Sequence, residues 1–429
     1  MPTALTGRVA RTEGLTTAVA GFPAPVGAVV EIDRQTGPPV EAEVIGFRDQ
    51  WTLVYPLGDV TGVRRGNLVR LRRTVRRLAV GPQLLGRVLD ARGQPIDRGP
   101  RLALAHRVPL ERAPPSAVDR PRIDAPISTG VRAIDALLTC GRGQRMGVFS
   151  GSGVGKSVTM GMMARYTSAD VNVIALIGER NREVNDFLER DLGPEGLARS
   201  VVVIATSNEP AIVRVRAAHV ATAVAEFFRD QGKDVLLMMD SVTRFAMAQR
   251  EIGLAAGEPP TTRGYPPSVF AMLPKLTERA GRSPEGSITA FYTVLVEGDD
   301  TNEPISDAVR GLLDGHTILS RKIASRGHYP AIDVLESLSR VMADIVPGEH
   351  QQAAMTLRKL LAAHRDHEDL ISIGAYRSGA NPEVDAALAM KPEIDAFLQQ
   401  AIGERSSVPA AQEELLRLAA KAQTLLRTS

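Results

Sequence analysis

Cysteine is nearly absent from the 429-residue sequence, which contains only Cys140. A single cysteine cannot form an intrachain disulfide or a cysteine-rich zinc site, and such a composition is typical of a reducing compartment. The sequence also lacks an apolar run of the roughly 20 residues that span a bilayer, and its N-terminal residues contain no apolar signal region. These absences argue against a disulfide-stabilised secreted protein and an integral membrane protein, and they favour a cytoplasmic location.

Aromatic residues and net charge are scarce as well. Phenylalanine, tryptophan and tyrosine make up 4% of the chain, and the formal net charge is +3. A charge this small does not by itself indicate nucleic-acid binding. The hydrophobic share of 44% is ordinary for a globular protein. At about 150 residues per domain, the length predicts roughly two to four domains with apolar cores.

A glycine-rich segment at residues 145–157 is the most informative motif, because it joins an apolar strand to a helix. Its glycines let backbone N–H groups surround phosphates, Lys156 can reach the β and γ oxygens, and Ser157 can bind Mg²⁺. Ser150 replaces the glycine of the usual spacing, and a glycine-rich turn between two core elements is the alternative. The segment predicts a nucleoside triphosphate site formed by Ser150, Gly151, Ser152, Gly153, Val154, Gly155, Lys156, Ser157 and Val158.

Two acidic residues follow predicted strands beside this loop. Asp240 ends an apolar run, and Glu179 follows the predicted strand Val171–Ile177. Ligands of an open parallel sheet bind beyond the carboxyl ends of its strands. Asp240 can therefore anchor Mg²⁺, and Glu179 can accept a proton from the attacking water, with Arg180 and Arg182 beside it to hold the base or the phosphates. A turn cap at Asp240 and an exposed Glu–Arg pair at Glu179 are the alternatives, and spacing alone leaves the second choice open.

Three regions joined by a linker follow one another along the chain. Residues 1–80 contain short strands between turns, typical of a small antiparallel β-barrel, and residues 81–126 form a linker rich in proline and arginine. In residues 127–346 apolar strands alternate with helices, which predicts an α/β domain with a mostly parallel sheet. Residues 347–429 have the leucine spacing of packed helices.

Individual elements can also be predicted. A buried connecting helix should begin at an N-cap on Ser207 and stop at Gly232, and Trp51 should help to fill the barrel. The predicted strands are Ala28–Ile32, Val40–Phe47, Thr52–Tyr55, Asn67–Leu71, Val171–Ile177, Val201–Thr206, Val235–Asp240, Ser287–Leu295 and Thr317–Leu319.

Seven segments besides the loop carry a resemblance to one protein family: Gly141–Phe149, Gly178–Glu183, Asp240–Glu251, Gly257–Phe270, Thr289–Asp300, Leu313–Arg321 and Gly327–Asp333. Together they resemble the catalytic subunits of rotary-type hexameric ATPases, and within that superfamily the flagellum-specific type III protein-export ATPases. The resemblance covers nearly the whole chain and is strongest from residue 141 to residue 342. It implies a RecA-like P-loop domain between the barrel and the C-terminal helices.

The resemblance also implies roles for individual side chains. Arg180 and Arg244 match the active-site arginines that follow the catalytic glutamate and the metal-supporting aspartate. Tyr329 matches an aromatic residue that stacks on adenine, and Arg340 matches an arginine finger that enters the site of a neighbouring subunit. A core-filling tyrosine and a surface arginine are the ordinary alternatives. The resemblance also supports the roles predicted above for four residues: Lys156, Ser157, Glu179 and Asp240.

The expected ligands and partners come from the resemblance alone. They are ATP or ADP with Mg²⁺, a homohexameric ring, the flagellar export apparatus, a regulatory subunit, a stalk-like subunit, and export chaperones with their substrates. Peripheral association with the inner face of the membrane is compatible with this set. Family members commonly start with an amphipathic segment that docks the regulator, whereas this sequence starts almost at the barrel. Residues 374–382 stand where ATP synthase β subunits carry an acidic coupling loop, which argues against ATP synthesis.

Two other classes of function compete with this interpretation. An RNA-dependent ring motor or terminator can combine the same ATPase core with an N-terminal barrel, and a dense arginine stretch between residues 64 and 77 can track phosphates. Aromatic platforms for stacking bases are missing around the stretch. We therefore interpret it as a barrel edge or a partner-binding rim, with anionic lipid headgroups as the lesser alternative. The second class is the nucleotide-binding but weakly catalytic subunit of an ATPase pair. Glu179 argues against this class, because non-catalytic subunits generally lack the catalytic base.

Overall fold

The N-terminal region is a closed six-stranded barrel. The computed structural model describes residues 5–296 and 303–428. The barrel strands follow one another in the order β1-β2-β5-β4-β3-β6, and an apolar cluster that includes Val19, Val30 and Val54 fills the interior. The strands are β1 Thr6–Glu13, β2 Thr16–Ala20, β3 Val29–Ile32, β4 Val40–Arg48, β5 Trp51–Pro56 and β6 Leu68–Arg73.

The predicted barrel is confirmed, with one side chain placed wrongly. All four predicted strands are present with small shifts of their ends, and β1 and β2 are additional. Trp51 does not belong to the barrel's apolar cluster and is only half-buried. It opens β5 opposite Ala20 and Arg48, at the end of the barrel, so its ring does not reach the interior.

The central region is a nine-stranded sheet with the order β19-β18-β12-β17-β15-β13-β14-β8 and with β16 paired to β17. β16 and β19 are antiparallel to their neighbours and the other pairs are parallel. All seven residues of β13 are buried, as expected of a parallel strand covered on both faces. The nine strands of the sheet are β8 Arg87–Asp90, β12 Arg145–Ser150, β13 Val171–Ile177, β14 Ser200–Ala205, β15 Asp234–Asp240, β16 Gly281–Arg282, β17 Ser287–Leu295, β18 Gly315–Leu319 and β19 Ile332–Ser339. Two separate two-stranded ribbons are formed by β7 Arg77–Val80 with β9 His106–Pro109, and by β10 Pro126–Ile127 with β11 Cys140–Gly141.

Helices cover both faces of this sheet. On one face α5 packs against β13, β14 and β15, and α6 packs against α5 and β17. The other face shares an apolar core with α1, α2, α11, α13 and α14. The helices are α1 Arg132–Leu137, α2 Lys156–Tyr166, α3 Asn181–Asp186, α4 Gly193–Ala198, α5 Ala211–Arg229, α6 Val242–Ala256, α7 Pro267–Thr277, α8 Pro304–Leu312, α9 Arg321–Ala324, α10 Met342–Ile345, α11 Gly348–Asp366, α12 Glu368–Ser372, α13 Pro382–Leu398 and α14 Val408–Thr428.

The start of α5 differs from the prediction. Its N-cap is Pro210, and Ser207 makes no cap. A residue that precedes proline is disfavoured in the helical conformation, so Glu209 keeps the helix from starting earlier. The helical C-terminal region is confirmed, because after Pro347 the described residues form helices and connecting turns with no strand. None of the helices in residues 5–296 and 303–428 combines the length and the apolarity needed to cross a membrane.

Candidate nucleotide-binding and catalytic site

The phosphate-binding loop connects β12 at the centre of the sheet to α2. Gly153 and Gly155 have φ values of +78° and +87°, which side chains other than glycine rarely adopt. Gly155 is the N-cap of α2, whose first residue is Lys156. The sequence therefore places free N–H groups and the positive end of a helix dipole at the same point, where an anion is stabilised.

A cleft of about 640 Å³ opens in front of this loop. Parallel strands end at the same edge of the sheet, so Glu179 after β13 and Asp240 at the end of β15 are brought beside the loop. Val154 is the exception among the loop residues, since its side chain is buried in the apolar core. The predicted residues that line the cleft are Ser150, Gly151, Ser152, Gly153, Gly155, Lys156, Ser157, Val158, Glu179, Arg180, Asp240 and Arg244.

Lys156 lies between the two predicted acidic residues. Its ammonium group donates a short hydrogen bond to Asp240 and lies 3.7 Å from Glu179 Oε1. Asp240 is 4% exposed and also accepts a hydrogen bond of 2.7 Å from Thr293 Oγ1 on β17. A buried carboxylate that is held in this way presents its remaining lone pairs toward the cleft.

The carboxyl group of Glu179 has an unusual protonation equilibrium. Burial raises its pKa to about 7, and the negative charge of Asp240 adds to the increase, while the charge of Lys156 opposes it. A hydrogen bond with Glu183 further favours the protonated form of Glu179, and the same bond lowers the pKa of Glu183. A base with a pKa close to neutrality is well suited to general base catalysis near pH 7.

Two arginines flank this glutamate in different ways. The side chain of Arg244 lies under Gly178, where an added Cβ would come within 2.9 Å of Arg244 Cδ and where φ is +72°. Its buried Nε has no hydrogen-bond partner among the described residues. Arg180 is 77% exposed at the mouth of the cleft and lies 3.6 Å from Glu183. Arg182 is 91% exposed and pairs with Asp186, outside the cleft.

Tyr329 and Arg340 lie in different surroundings. The exposed ring of Tyr329 lies against the loop, since a Cβ added to Gly155 would be 3.4 Å from Tyr329 Cδ1. Arg340 follows β19 and is exposed, and it does not line the cleft of its own chain. The structure therefore brings together the predicted site side chains except those of Val154, Arg182 and Arg340. The end of one family segment, residues 297–300, lies outside the described residues.

Two charged residues of the cleft were not predicted as site residues. Glu183 forms a hydrogen bond with Glu179. Its position could have been predicted from the sequence, because a glutamate at the third position of a helix such as α3 turns back toward the start of that helix. Arg321 lines the cleft at the start of α9, two residues after the end of β18, which pairs with β12. The rule that located Asp240, that ligands meet the carboxyl ends of parallel strands, would also have located Arg321.

The residues of the cleft fit a nucleotide with a hard cation. Ser150 Oγ is buried and has no hydrogen-bond partner in residues 5–296 or 303–428. The side chains of Ser157 and Asp240 offer oxygen atoms, which are the donors that Mg²⁺ prefers. Among the described residues, no group of three or more histidine, cysteine, aspartate or glutamate side chains is arranged to hold a metal ion by itself.

The pH dependence of hydrolysis should report Glu179. Because only its ionised form accepts a proton, we expect kcat/KM for ATP to fall as the pH falls through about 7. In Glu183→Gln the acid limb should move to lower pH, because a neutral amide holds the protonated form of Glu179 less strongly. Glu189→Gln, an exposed position on the same segment, is the control and should leave the limb in place. Identical profiles for all three proteins would contradict this assignment of the limb.

Comparison with known protein families gives two matches. The model described as "ATP synthase alpha/beta family, nucleotide-binding domain" matches residues 130–339. The model described as "T3SS EscN ATPase C-terminal domain" matches residues 346–417. The first match contains the loop, both acidic residues and Tyr329, and the second covers most of the C-terminal helices.

Similar proteins span nearly the whole chain. The flagellum-specific ATP synthase of Bacillus subtilis (strain 168) is 51% identical over 95% of this chain and 93% of its own length. The flagellum-specific ATP synthase of Salmonella typhimurium (strain LT2) is 51% identical over 93% of this chain and 90% of its own. The type 3 secretion system ATPase of Xanthomonas euvesicatoria is 53% identical over 94% of this chain and 91% of its own.

Two solved structures of a type III secretion ATPase are also similar to this chain. The assembled ATPase EscN from the type III secretion system of enteropathogenic E. coli has a TM-score of 0.91 and 45% identity, and the match covers 96% of this chain and 100% of that one. EscN in complex with its central stalk EscO has a TM-score of 0.89 with the same identity and coverage.

Proposed function

This chain belongs to the ATP synthase alpha/beta family and, within it, to the type III export ATPases, and on that premise we propose which of its residues perform the reaction. The family predicted from the sequence is confirmed, and so is the activity, ATP hydrolysis that drives type III protein export. The observation that carries the proposal is the meeting of Lys156, Glu179 and Asp240 in the cleft at the phosphate-binding loop.

Each of these side chains supplies one part of the chemistry. The N–H groups of the loop and the ammonium group of Lys156 bind the β and γ phosphates of ATP. Glu179 in its ionised form orients the attacking water and takes its proton. Arg180 and Arg244 bring positive charge to the same space, and Tyr329 offers its face to adenine. Mg²⁺, bound through Ser157 and Asp240, would neutralise phosphate charge.

We further propose that the sites are shared between copies of the chain in a homohexameric ring. Arg340 is exposed and lies away from the cleft of its own chain, so it can serve as a finger only in a neighbouring site. A complex of the similar ATPase EscN with its stalk EscO supports a stalk-like partner for this chain. An export chaperone with its substrate, a regulatory subunit and peripheral membrane contact remain part of the proposal.

The flagellum is the proposed destination of the exported proteins. Relatives named for the flagellum and relatives named for type III secretion systems have similar identities to this chain, for example 51% and 53%. The segments quoted from the sequence resemble the flagellar members most, and this resemblance is the reason for the choice.

The RNA-dependent motor is not supported. The relatives described above are flagellar and secretion ATPases, and three of the seven arginines between residues 64 and 77 are paired with carboxylates of the described residues. Arg70 pairs with Asp33 at 2.7 Å, and Arg76 pairs with Glu43 at 2.6 Å. Arginines held by carboxylates on the barrel are poorly placed to track a phosphate backbone.

Phosphate release at increasing protein concentration tests the proposed function. We expect activity per chain to rise cooperatively as the mass of the particle increases, because each site needs two chains. Added single-stranded RNA should leave the rate unchanged. Activity per chain that stays constant from monomer to assembled particle would contradict shared sites, and a rate that depends on RNA would restore the rejected motor.

A further inference from the structure

A second cavity, which shares no lining residue with the nucleotide cleft, lies between the barrel and the central domain. It has a volume of about 400 Å³. Its walls come from the barrel strands β3, β4 and β6, from the β7–β9 ribbon, from the turn after β8 and from α5. The side chains that dominate its lining are those of Arg73, Arg76, Arg77, Arg92, Arg107 and Arg216.

The acidic residues around this cavity neutralise only part of its charge. Of the described residues, Glu41 is the one acidic residue that lines it. Even if Glu43 and Glu111, which bind Arg76, are included, the arginines exceed the glutamates by three. Guanidinium groups remain charged at all physiological pH values. The cavity therefore has a strongly positive potential.

Two arginines form the rigid base of the cavity. Arg216 on α5 is 7% exposed at its side chain and binds Glu43 at 2.9 Å and Glu41 at 3.3 Å. Its buried Nε has no hydrogen-bond partner in the described part of the chain. Arg76 is fixed by Glu43 at 2.6 Å. These contacts join the barrel to the ATPase domain and hold guanidinium groups in place before any ligand arrives.

Three other arginines have no acidic partner among the described residues. Arg77 and Arg107 lie on adjacent strands, where Arg77 is opposite Pro109 and Arg107 is opposite Ala79. Because Arg77 and Ala79 are two residues apart, both arginines lie on the same face of the ribbon. Arg73 ends β6 on the barrel side. The exposed guanidinium groups of all three converge on the cavity without an internal counter-charge.

We infer that this cavity is a binding site for a compact phosphoryl anion that carries several negative charges. Guanidinium groups bind phosphate oxygens through paired, charge-assisted hydrogen bonds. The excess of three positive charges matches a ligand with two or more phosphoryl groups, and a ligand of this size fits the volume. Its phosphates would bridge the barrel, the ribbon and α5, so binding would fasten the barrel to the ATPase domain.

A small soluble anion fits better than a membrane surface. Arg216 and Arg76 lie at the base of a concave cavity, and their side chains are 7% and 18% exposed. A flat bilayer reaches exposed side chains, but it cannot reach guanidinium groups that are recessed in this way without extracting a headgroup. Vesicles are nevertheless included in the test, because a lipid headgroup presents the same chemistry.

Binding of inorganic tripolyphosphate tests the inference. Titration calorimetry is done on full-length Lys156→Ala, in which the phosphate-binding loop is weakened, so the result does not depend on ATP hydrolysis. We expect saturable binding that Arg77→Gln together with Arg107→Gln weakens at least about tenfold. The matched control, Arg64→Gln with Arg65→Gln, removes the same charge from exposed positions outside the cavity and should leave the affinity unchanged.

Each other result has a defined meaning. Equal weakening by both double variants, or no binding at all, overturns the inference. If vesicles containing phosphatidylglycerol bind in an Arg77- and Arg107-dependent way while tripolyphosphate does not, the soluble ligand is wrong and the source is a lipid headgroup. If the double variant instead loses self-association in sedimentation experiments and tripolyphosphate does not bind, the arginines meet a neighbouring copy, and the inference fails.

Discussion

Glu179→Gln should reduce the rate of ATP hydrolysis by about 10²–10⁴-fold, the usual contribution of a general base. The amide keeps the size of the side chain and can still accept a hydrogen bond from water, but it cannot take a proton at neutral pH. Lys156 and the loop are untouched, so we expect the affinity for a fluorescent ATP analogue to remain close to that of the parent protein. Phosphate release and analogue binding, measured on the same preparation, separate the two effects.

Glu189→Gln is the matched control for this variant. It makes the same chemical change at an exposed position on the segment that follows α3, away from the cleft. Its rate and affinity should equal those of the parent protein. A Glu179→Gln protein that hydrolyses ATP at the parent rate would show that another group activates the water.

Arg340→Ala should lose nearly all turnover while ATP binding and ring assembly persist. Arginine fingers contribute about 10³–10⁵ in rate, which corresponds to roughly 4–7 kcal/mol of activation free energy. The guanidinium group is permanently charged and offers a planar set of donors, so it stabilises the charge that develops on the γ-phosphoryl oxygens. An exposed ion pair, worth up to about 1 kcal/mol, cannot account for a loss of that size.

Arg98→Ala is the matched control for Arg340→Ala. Arg98 is also exposed, and it lines neither the nucleotide cleft nor the arginine-rich cavity. Its loss should leave turnover unchanged. Normal hydrolysis by Arg340→Ala under assembling conditions would mean that another residue is the finger and that the shared interface lies elsewhere.

The sequence predicted best those elements whose signal is local and strong. The strands β13 and β17 have the predicted bounds, because segments this rich in apolar and β-branched residues are typical of strands that are covered on both faces of a sheet. The phosphate-binding loop could be located because its backbone requires glycine at particular positions. Lys156, Glu179 and Asp240 could be brought together in advance because parallel strands end at a common edge.

The missed elements depend on contacts that the sequence does not reveal. β1 is mostly exposed and becomes a strand through its partners β2 and β6. β8 has four residues within a stretch rich in proline and glycine, and it is a strand because it pairs with β14 and forms the edge of the sheet. The predicted domain division after residues 80, 126 and 346 stays a prediction, and so do the roles of the individual site residues.

The central claim, that each ATP site is built from two chains, is tested most directly by mixing two inactive proteins. Lys156→Ala keeps an intact finger, and Arg340→Ala keeps an intact phosphate-binding loop. In randomly mixed rings about a quarter of the interfaces combine both intact parts. The account predicts that phosphate release rises well above that of either variant alone once the mixture assembles. A mixture that assembles and hydrolyses ATP no faster than its separate components would contradict it.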